Sequence, residues 1–120
     1  MRVLHEEYKI ISERREKQFE EVSGEKSYTK YLFREGINKI LKKLGEESAE
    51  LIIAAKDASA GSGAEDSAKL VIEETADLFY HVLIMLAELG IPLCDVEAEL
   101  EERTRKTGNL KEFNVTDKNT

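Results

Sequence analysis

Apolar residues recur along most of the chain at intervals of three and four, the period of an amphipathic α-helix. Four helices are predicted from this pattern, and no segment shows the apolar–polar alternation typical of a strand. They span about Val3–Val22, from Tyr31 or Gly36 to Lys56, Ala64–Leu89 and Leu93–Lys106. We therefore expect an all-α fold, an antiparallel bundle of about four helices.

Polar and glycine-containing stretches separate the predicted helices. SGEKS follows the first helix, and the small, glycine-rich DASAGSGAEDS follows the second. Gly90 suits the left-handed residue that ends many helices, and Pro92 suits the start of the next helix. We predict one domain over residues 1–120, with an N-terminal helix and link at 1–26, further helices at 27–107 and an irregular tail at 108–120.

The predicted third helix is apolar on nearly every side, so it needs neighbours on every side. The first helix offers only a sparse apolar set, which includes Leu4, Tyr8 and Ile11. Since a chain of this length has few other helices to supply, we expect a homodimer to complete the core.

Composition narrows the classes of partner. The 120 residues carry a net charge of -7, which argues against nucleic acid or an anionic membrane as the main partner. A small phosphorylated ligand remains compatible, because a bound metal ion can offset its charge. One cysteine, a charged N-terminus and the lack of a membrane-length apolar run lead us to expect a cytoplasmic protein.

Carboxylates stand beside the apolar faces of the second and third helices. On a helical wheel the second helix has its apolar face centred on Ile37, Leu44 and Leu51, with an acidic flank. The third helix carries a similar acidic stripe, and antiparallel packing would bring the two together. Carboxylate oxygens at such a junction are ligands for Mg²⁺ or Mn²⁺. The predicted metal-binding residues are Glu46, Glu47, Glu50, Glu74 and Asp77.

Other interpretations of these acids stay open at this point. Glutamates on helices usually face water, but Asp is a poor residue for a helix interior, and Asp77 lies within the most apolar helix. A ferritin-like di-iron bundle would need Glu-x-x-His motifs, which neither His5 nor His81 completes. His81 is either a buried hydrogen-bonding side chain or a contact for substrate phosphate.

Three segments together resemble the all-α nucleoside triphosphate pyrophosphohydrolases, and among them the phosphoribosyl-ATP pyrophosphatase family of histidine biosynthesis. The segments are SYTKYLF, KILKKLGEESAELIIAAK and EETADLFYHVLIML. ELEERTRKTGNLKEF is also similar to the C-terminal pattern of that family. The resemblance extends from Ser27 to Phe113.

The resemblance implies Mg²⁺-dependent hydrolysis of phosphoribosyl-ATP to phosphoribosyl-AMP and pyrophosphate. It makes Glu47, Glu50, Glu74 and Asp77 the expected catalytic residues. The expected substrate-binding residues are Ser27, Tyr28, Thr29, Lys39, Lys43 and His81. Two alternatives remain, a related house-cleaning pyrophosphatase that acts on free nucleotides and a non-catalytic helical dimerisation module.

Overall fold

The computed structural model describes residues 2–20, 27–61 and 64–107, and all of the regular structure in these ranges is helical. Within these ranges five helices follow one another: α1 (Arg2–Glu16), α2 (Tyr28–Glu35), α3 (Ile37–Ser59), α4 (Ala64–Glu88) and α5 (Leu93–Thr107). The predicted all-α class is confirmed. Most of the predicted link and the whole of the predicted tail lie outside the described residues.

The predicted second helix is two helices that meet at Gly36. Ser27 caps α2 by accepting a hydrogen bond from the backbone N–H of Lys30 at 3.1 Å. Gly36 then has φ 94° and ψ -175°, a conformation that is open almost only to glycine. The apolar period continues across this residue, which explains why the pattern alone suggested about four helices.

α1 is shorter than predicted, because it ends at Glu16 and passes into a turn. The backbone N–H of Gln18 bonds to the carbonyl of Arg15, and that of Glu20 bonds to the carbonyl of Lys17. Phe19, the large apolar residue in this turn, is 78% exposed. Without burial of that side chain, little favours a further helical turn.

The core lies where α1 and α2 cover the C-terminal half of α4. Its fully buried members include Ile11, Leu32, Ile40 and Ile84. α4 ends as predicted, with Gly90 at φ 70°. The N–H of Gly90 bonds to the carbonyl of Ala87, and the N–H of Ile91 bonds to that of Leu86. This pair of bonds is the Schellman motif.

α5 leaves the end of α4 at an angle of 112°. Leu93 is buried in the core, while the His5 side chain on α1 contacts the Glu97 carboxylate of α5. In the part of the chain that the structure describes, no single helix is long and apolar enough to span a membrane. Within the described ranges, α4 and α5 are long and apolar enough for a span when the two are taken together as a bent pair.

Candidate metal and substrate site

Glu47 lies on the stripe of α3 that faces the interior. Ile40, Glu47 and Ala54 are spaced by seven residues, about two helical turns, and all three are buried. The predicted apolar centre at Ile37, Leu44 and Leu51 is only partly buried in the chain. A carboxylate that is 8% exposed therefore occupies the centre of the inward face.

The α3–α4 hairpin brings acids from both helices together. Glu50 lies nine residues before the end of α3, and Glu74 lies ten residues after the start of α4. Because the two helices pack along each other in antiparallel directions, these positions come level. One carboxylate oxygen from each of Glu47, Glu50 and Glu74 lies within 4.8 Å of the other two. We call these three residues the carboxylate triad.

Two oxygens of the carboxylate triad lack a hydrogen-bond partner among the residues that the structure describes. Oε2 of Glu47 and Oε2 of Glu74 are buried and have no hydrogen-bond partner among the described residues. Burial raises the pKa of both carboxyl groups, and the nearby Glu50 carboxylate raises them further. Buried carboxylates without partners are costly, and a bound divalent cation would offset both the burial and the repulsion. The donor set therefore fits a hard cation such as Mg²⁺.

Asp77 and Glu46 lie outside the carboxylate triad. Asp77 is exposed. Its negative charge contributes to the raised pKa of Glu47 and of Glu74, so it acts on the carboxylate triad. The Glu46 carboxylate pairs with the Lys43 ammonium at 3.0 Å. This hydrogen bond and the positive charge of Lys43 lower the pKa of Glu46. Of the five predicted metal-binding acids, three converge, one stands nearby and one pairs with a lysine.

The two predicted lysines are close to the acids of α3. Lys43 lies one turn before Glu47 on the wheel, and its bond to Glu46 raises its own pKa. The Lys39 ammonium lies 5.9 Å from the centre of the Tyr31 ring, in the range of a cation–π contact. Its positive charge also lowers the pKa of Glu46. Both lysines thus place positive charge beside the acidic face.

The predicted segment Ser27–Thr29 forms the first turn of α2 and its cap, and it packs against α4. Ser27 uses its hydroxyl to cap the helix, and the Arg14 guanidinium lies 3.5 Å from the same oxygen. The Tyr28 hydroxyl lies 3.0 Å from Nε2 of His81. Thr29 is buried, and its hydroxyl contacts that of Tyr80. Residues of α2 are therefore bonded to the same turn of α4 that follows Asp77.

Sequence reasoning did not single out Tyr80 or Lys30. Tyr80 supplies the partner of Thr29, and Lys30 is buried with its ammonium donating to the Glu20 carbonyl at 3.2 Å. A signal for Tyr80 was present, because a tyrosine within an apolar helix needs a partner for its hydroxyl. Lys30 offered no such signal, since a lysine in a short amphipathic helix usually faces water.

Comparison with known proteins agrees with this geometry. A family profile described as phosphoribosyl-ATP pyrophosphohydrolase matches residues 4–104. A protein of Clostridium botulinum (strain Hall) named phosphoribosyl-ATP pyrophosphatase is 44% identical over 109 residues, covering 91% of this chain and 87% of the relative. A relative of the same name from Clostridium novyi is 39% identical over 109 residues, which cover 91% of this chain and 87% of the relative. Another, from Listeria welshimeri, is 40% identical over 110 residues, which cover 92% of this chain and 93% of the relative. Since the matched region contains the whole α3–α4 hairpin and its carboxylate triad, the chain belongs to the phosphoribosyl-ATP pyrophosphohydrolase family.

Proposed function

We propose that this protein hydrolyses phosphoribosyl-ATP to phosphoribosyl-AMP and pyrophosphate in histidine biosynthesis, with Mg²⁺ as its cofactor. The observation that carries the proposal is the carboxylate triad, in which two buried oxygens have no partner among the described residues. The family match, which includes the carboxylate triad, and the names of the relatives support phosphoribosyl-ATP as the substrate. Water adds across the α–β anhydride, so one P–O bond forms as another breaks and pyrophosphate leaves.

Glu47, Glu50 and Glu74 are the residues that would hold the metal ion. When bound, Mg²⁺ would neutralise phosphate oxygens and favour the attacking water as a nucleophile. Mn²⁺ prefers the same oxygen ligands and is expected to substitute. Asp77, which is exposed and whose charge acts on Glu47, would bind the ion through a water or orient the nucleophile. Glu46 is better placed to hold Lys43 than to bind metal.

Lys43 and Lys39 supply the positive charge that a triphosphate chain needs outside the metal. The Lys43 ammonium pairs with Glu46, and its charge also acts on the Tyr28 hydroxyl, where it opposes the rise in pKa that burial causes. A phosphate oxygen entering here would compete with Glu46 for the Lys43 ammonium. Such transfers depend on positioning and charge stabilisation more than on covalent chemistry. The lysines therefore serve substrate binding, and the acids serve the reacting phosphates.

The direct test is an assay of the purified protein with phosphoribosyl-ATP and Mg²⁺ against a panel of free nucleoside triphosphates. Products are separated by chromatography, and pyrophosphate is measured independently. We expect phosphoribosyl-ATP to be the preferred substrate, with activity lost in EDTA and restored by Mg²⁺ or Mn²⁺. Preference for a free triphosphate would indicate a house-cleaning pyrophosphatase. Lack of any hydrolysis by the folded protein would indicate a non-catalytic module.

We also propose that the protein works as a homodimer in the cytoplasm. Ile72 and Phe79 are exposed on α4, and helical spacing puts them on the face that continues into the buried Leu83 and Leu86. α1 covers this face only toward the C-terminal end of α4. On α3, Leu41 and Ile52 are also exposed. A second copy would cover apolar surface that this chain leaves in contact with water.

A further inference from the structure

His81 connects α4 to α2, because one nitrogen of its ring bonds within α4 and the other bonds to Tyr28 of α2. Its side chain is among the most enclosed polar groups of the protein, at 4% exposure. Nδ1 lies 2.7 Å from the backbone carbonyl of Asp77, one turn earlier in α4. Because a carbonyl oxygen only accepts hydrogen bonds, Nδ1 carries the proton. In the neutral ring Nε2 is then an acceptor, and the Tyr28 hydroxyl donates to it across 3.0 Å.

Aromatic packing holds the imidazole in this orientation. The Tyr80 ring meets it edge-on, with centroids 5.3 Å apart and planes at 82°. The Tyr28 ring meets it similarly, at 5.8 Å and 72°. The contact between the Thr29 and Tyr80 hydroxyls ties the next residue of α2 to the residue before His81. Two successive residues of α2 are thus bonded to two successive residues of α4.

Tyr28 itself is only partly enclosed. Its side chain is 43% exposed, although its hydroxyl is held by a buried partner. Burial raises its pKa, the Lys43 ammonium lowers it and the Glu47 carboxylate raises it. The charges of Lys43 and of Glu47 in the carboxylate triad therefore both act on this hydroxyl. The exposed ring lies in the first turn of α2, where Tyr28 and Thr29 are bonded to the turn of α4 that follows Asp77.

We propose that His81 is a positioning residue that fixes Tyr28, and that the exposed ring of Tyr28 contacts the nucleoside part of the substrate. The inference rests on the proposed function and deepens it. The Tyr28 hydroxyl donates its hydrogen bond to His81 and is therefore not available as a donor to a phosphate, so the ring is the part of the side chain that a ligand can contact. A triphosphate held by Lys43 and the acids would extend its sugar or base over that ring. His81, enclosed and bonded at both nitrogens, does not touch the substrate.

Two substitutions at His81 separate the hydrogen bonds of the ring. In His81→Asn the amide replaces Nδ1, so the Asp77 contact is kept and the Tyr28 contact is lost. In His81→Gln the longer side chain brings an oxygen near the former Nε2, where it accepts from Tyr28. We expect His81→Asn and Tyr28→Phe each to raise KM for phosphoribosyl-ATP by about fivefold, roughly one hydrogen bond, with little change in kcat. The double variant should be no worse than either, and His81→Gln should restore the parental KM.

Product inhibition identifies which part of the ligand Tyr28 meets. Tyr28→Leu removes the ring while keeping an apolar side chain. It should weaken inhibition by phosphoribosyl-AMP about tenfold or more, the scale of one base stacked on an aromatic ring. Inhibition by pyrophosphate, which has no nucleoside, should stay at the parental level. Equal weakening of both inhibitors would overturn the assignment of Tyr28 to the nucleoside.

One readout does not need activity. Nitrogen NMR of the metal-free protein should show the His81 ring protonated at Nδ1, and His81→Asn should change the environment of the Tyr28 ring. A ring that carries a proton on Nε2 would overturn the inference, whether or not Nδ1 is also protonated. So would a folded His81→Asn enzyme with a lowered melting temperature but the parental KM. If the parent does not hydrolyse phosphoribosyl-ATP, the proposed function fails, and the NMR result still tests the link between His81 and Tyr28.

Discussion

Glu47 shows how one residue type serves two purposes at one position. As a good helix former it continues α3, and as a carboxylate it puts negative charge between Ile40 and Ala54 on the buried stripe. Its Oε2 atom has no partner among the described residues, and Glu50 and Asp77 add repulsion. A position that is this unfavourable for folding is typical of a site whose geometry serves a ligand.

Glu47→Gln tests that interpretation with little change in shape. The substitution removes one anionic ligand, so turnover should fall by about a hundredfold or more, comparable with the loss of one electrostatic stabiliser. Thermal stability without metal should be unchanged or higher, because a charge held against its neighbours disappears. Glu13→Gln, on the exposed side of α1, is the matched control and should alter neither property. Parental turnover by folded Glu47→Gln across a range of Mg²⁺ concentrations would remove Glu47 from the catalytic site.

The raised pKa values of Glu47 and Glu74 predict opposite effects of pH on stability and on metal binding. A carboxyl whose pKa is higher in the folded chain binds more protons there than in the unfolded chain. Its contribution to stability is complete below the ordinary glutamate pKa of about 4.3 and is lost as pH rises through the raised value. Mg²⁺ binding requires the deprotonated form, so it should strengthen over the same rise.

Thermal unfolding with and without Mg²⁺, across mildly acidic to neutral pH, measures both effects. The increase in melting temperature that Mg²⁺ produces should grow with pH, since a ligand that binds only the folded state stabilises it more as its affinity rises. Glu47→Gln should reduce this growth. A Mg²⁺ effect that is the same at all pH values would contradict a carboxylate site with raised pKa values.

At the scale of helices, the sequence predicted best where local chemistry and packing agree. α4 was predicted closely because its apolar period is continuous and Gly90 permits the left-handed cap. The division at Gly36 was not settled, because apolar spacing persists across it and only its backbone conformation separates α2 from α3. Helical spacing grouped the acids correctly by helix. It could not say that Lys43 would hold Glu46 away from the carboxylate triad, since that depends on side-chain placement.

Gly36 offers a test at this scale. A Cβ at this position would meet open space, so any cost of Gly36→Ala comes from its backbone conformation. We expect a loss of about 1–3 kcal/mol in the free energy of unfolding. Gly90→Asn is the control, because asparagine tolerates the left-handed conformation that ends a helix, and it should cost clearly less. Equal losses, measured by denaturant titration, would show that the α2–α3 junction does not depend on this conformation.

For the whole molecule, the distribution of burial is uneven along α4. Its C-terminal end contributes Leu83, Ile84, Leu86 and Ala87 to the core, whereas Ile72 and Phe79, which come earlier in the helix, are exposed. The sequence predicted a helix in need of neighbours on every side, and within one chain the face that carries Ile72 and Phe79 stays exposed. Glu74 lies in the same part of α4, but at 100° per residue it faces nearly the opposite side of the helix from Ile72. Completion of the core by a second copy therefore stays a prediction about the exposed face of α4, separate from the face that carries the carboxylate triad.

Ile72→Lys tests the predicted dimer. We expect the parent protein to sediment as a dimer at micromolar concentration, with a melting temperature that rises with protein concentration. Ile72 is 68% exposed in the single chain, so the monomer should tolerate a lysine there. In the dimer the charge of that lysine would be buried, which is unfavourable. The variant should therefore dissociate while its helical circular dichroism is retained. Val3→Lys, at a position with similar exposure of 61% on α1, is the control and should remain dimeric. A parent that is monomeric throughout, or dissociation of both variants alike, would show that the exposed face of α4 is not where the second copy binds.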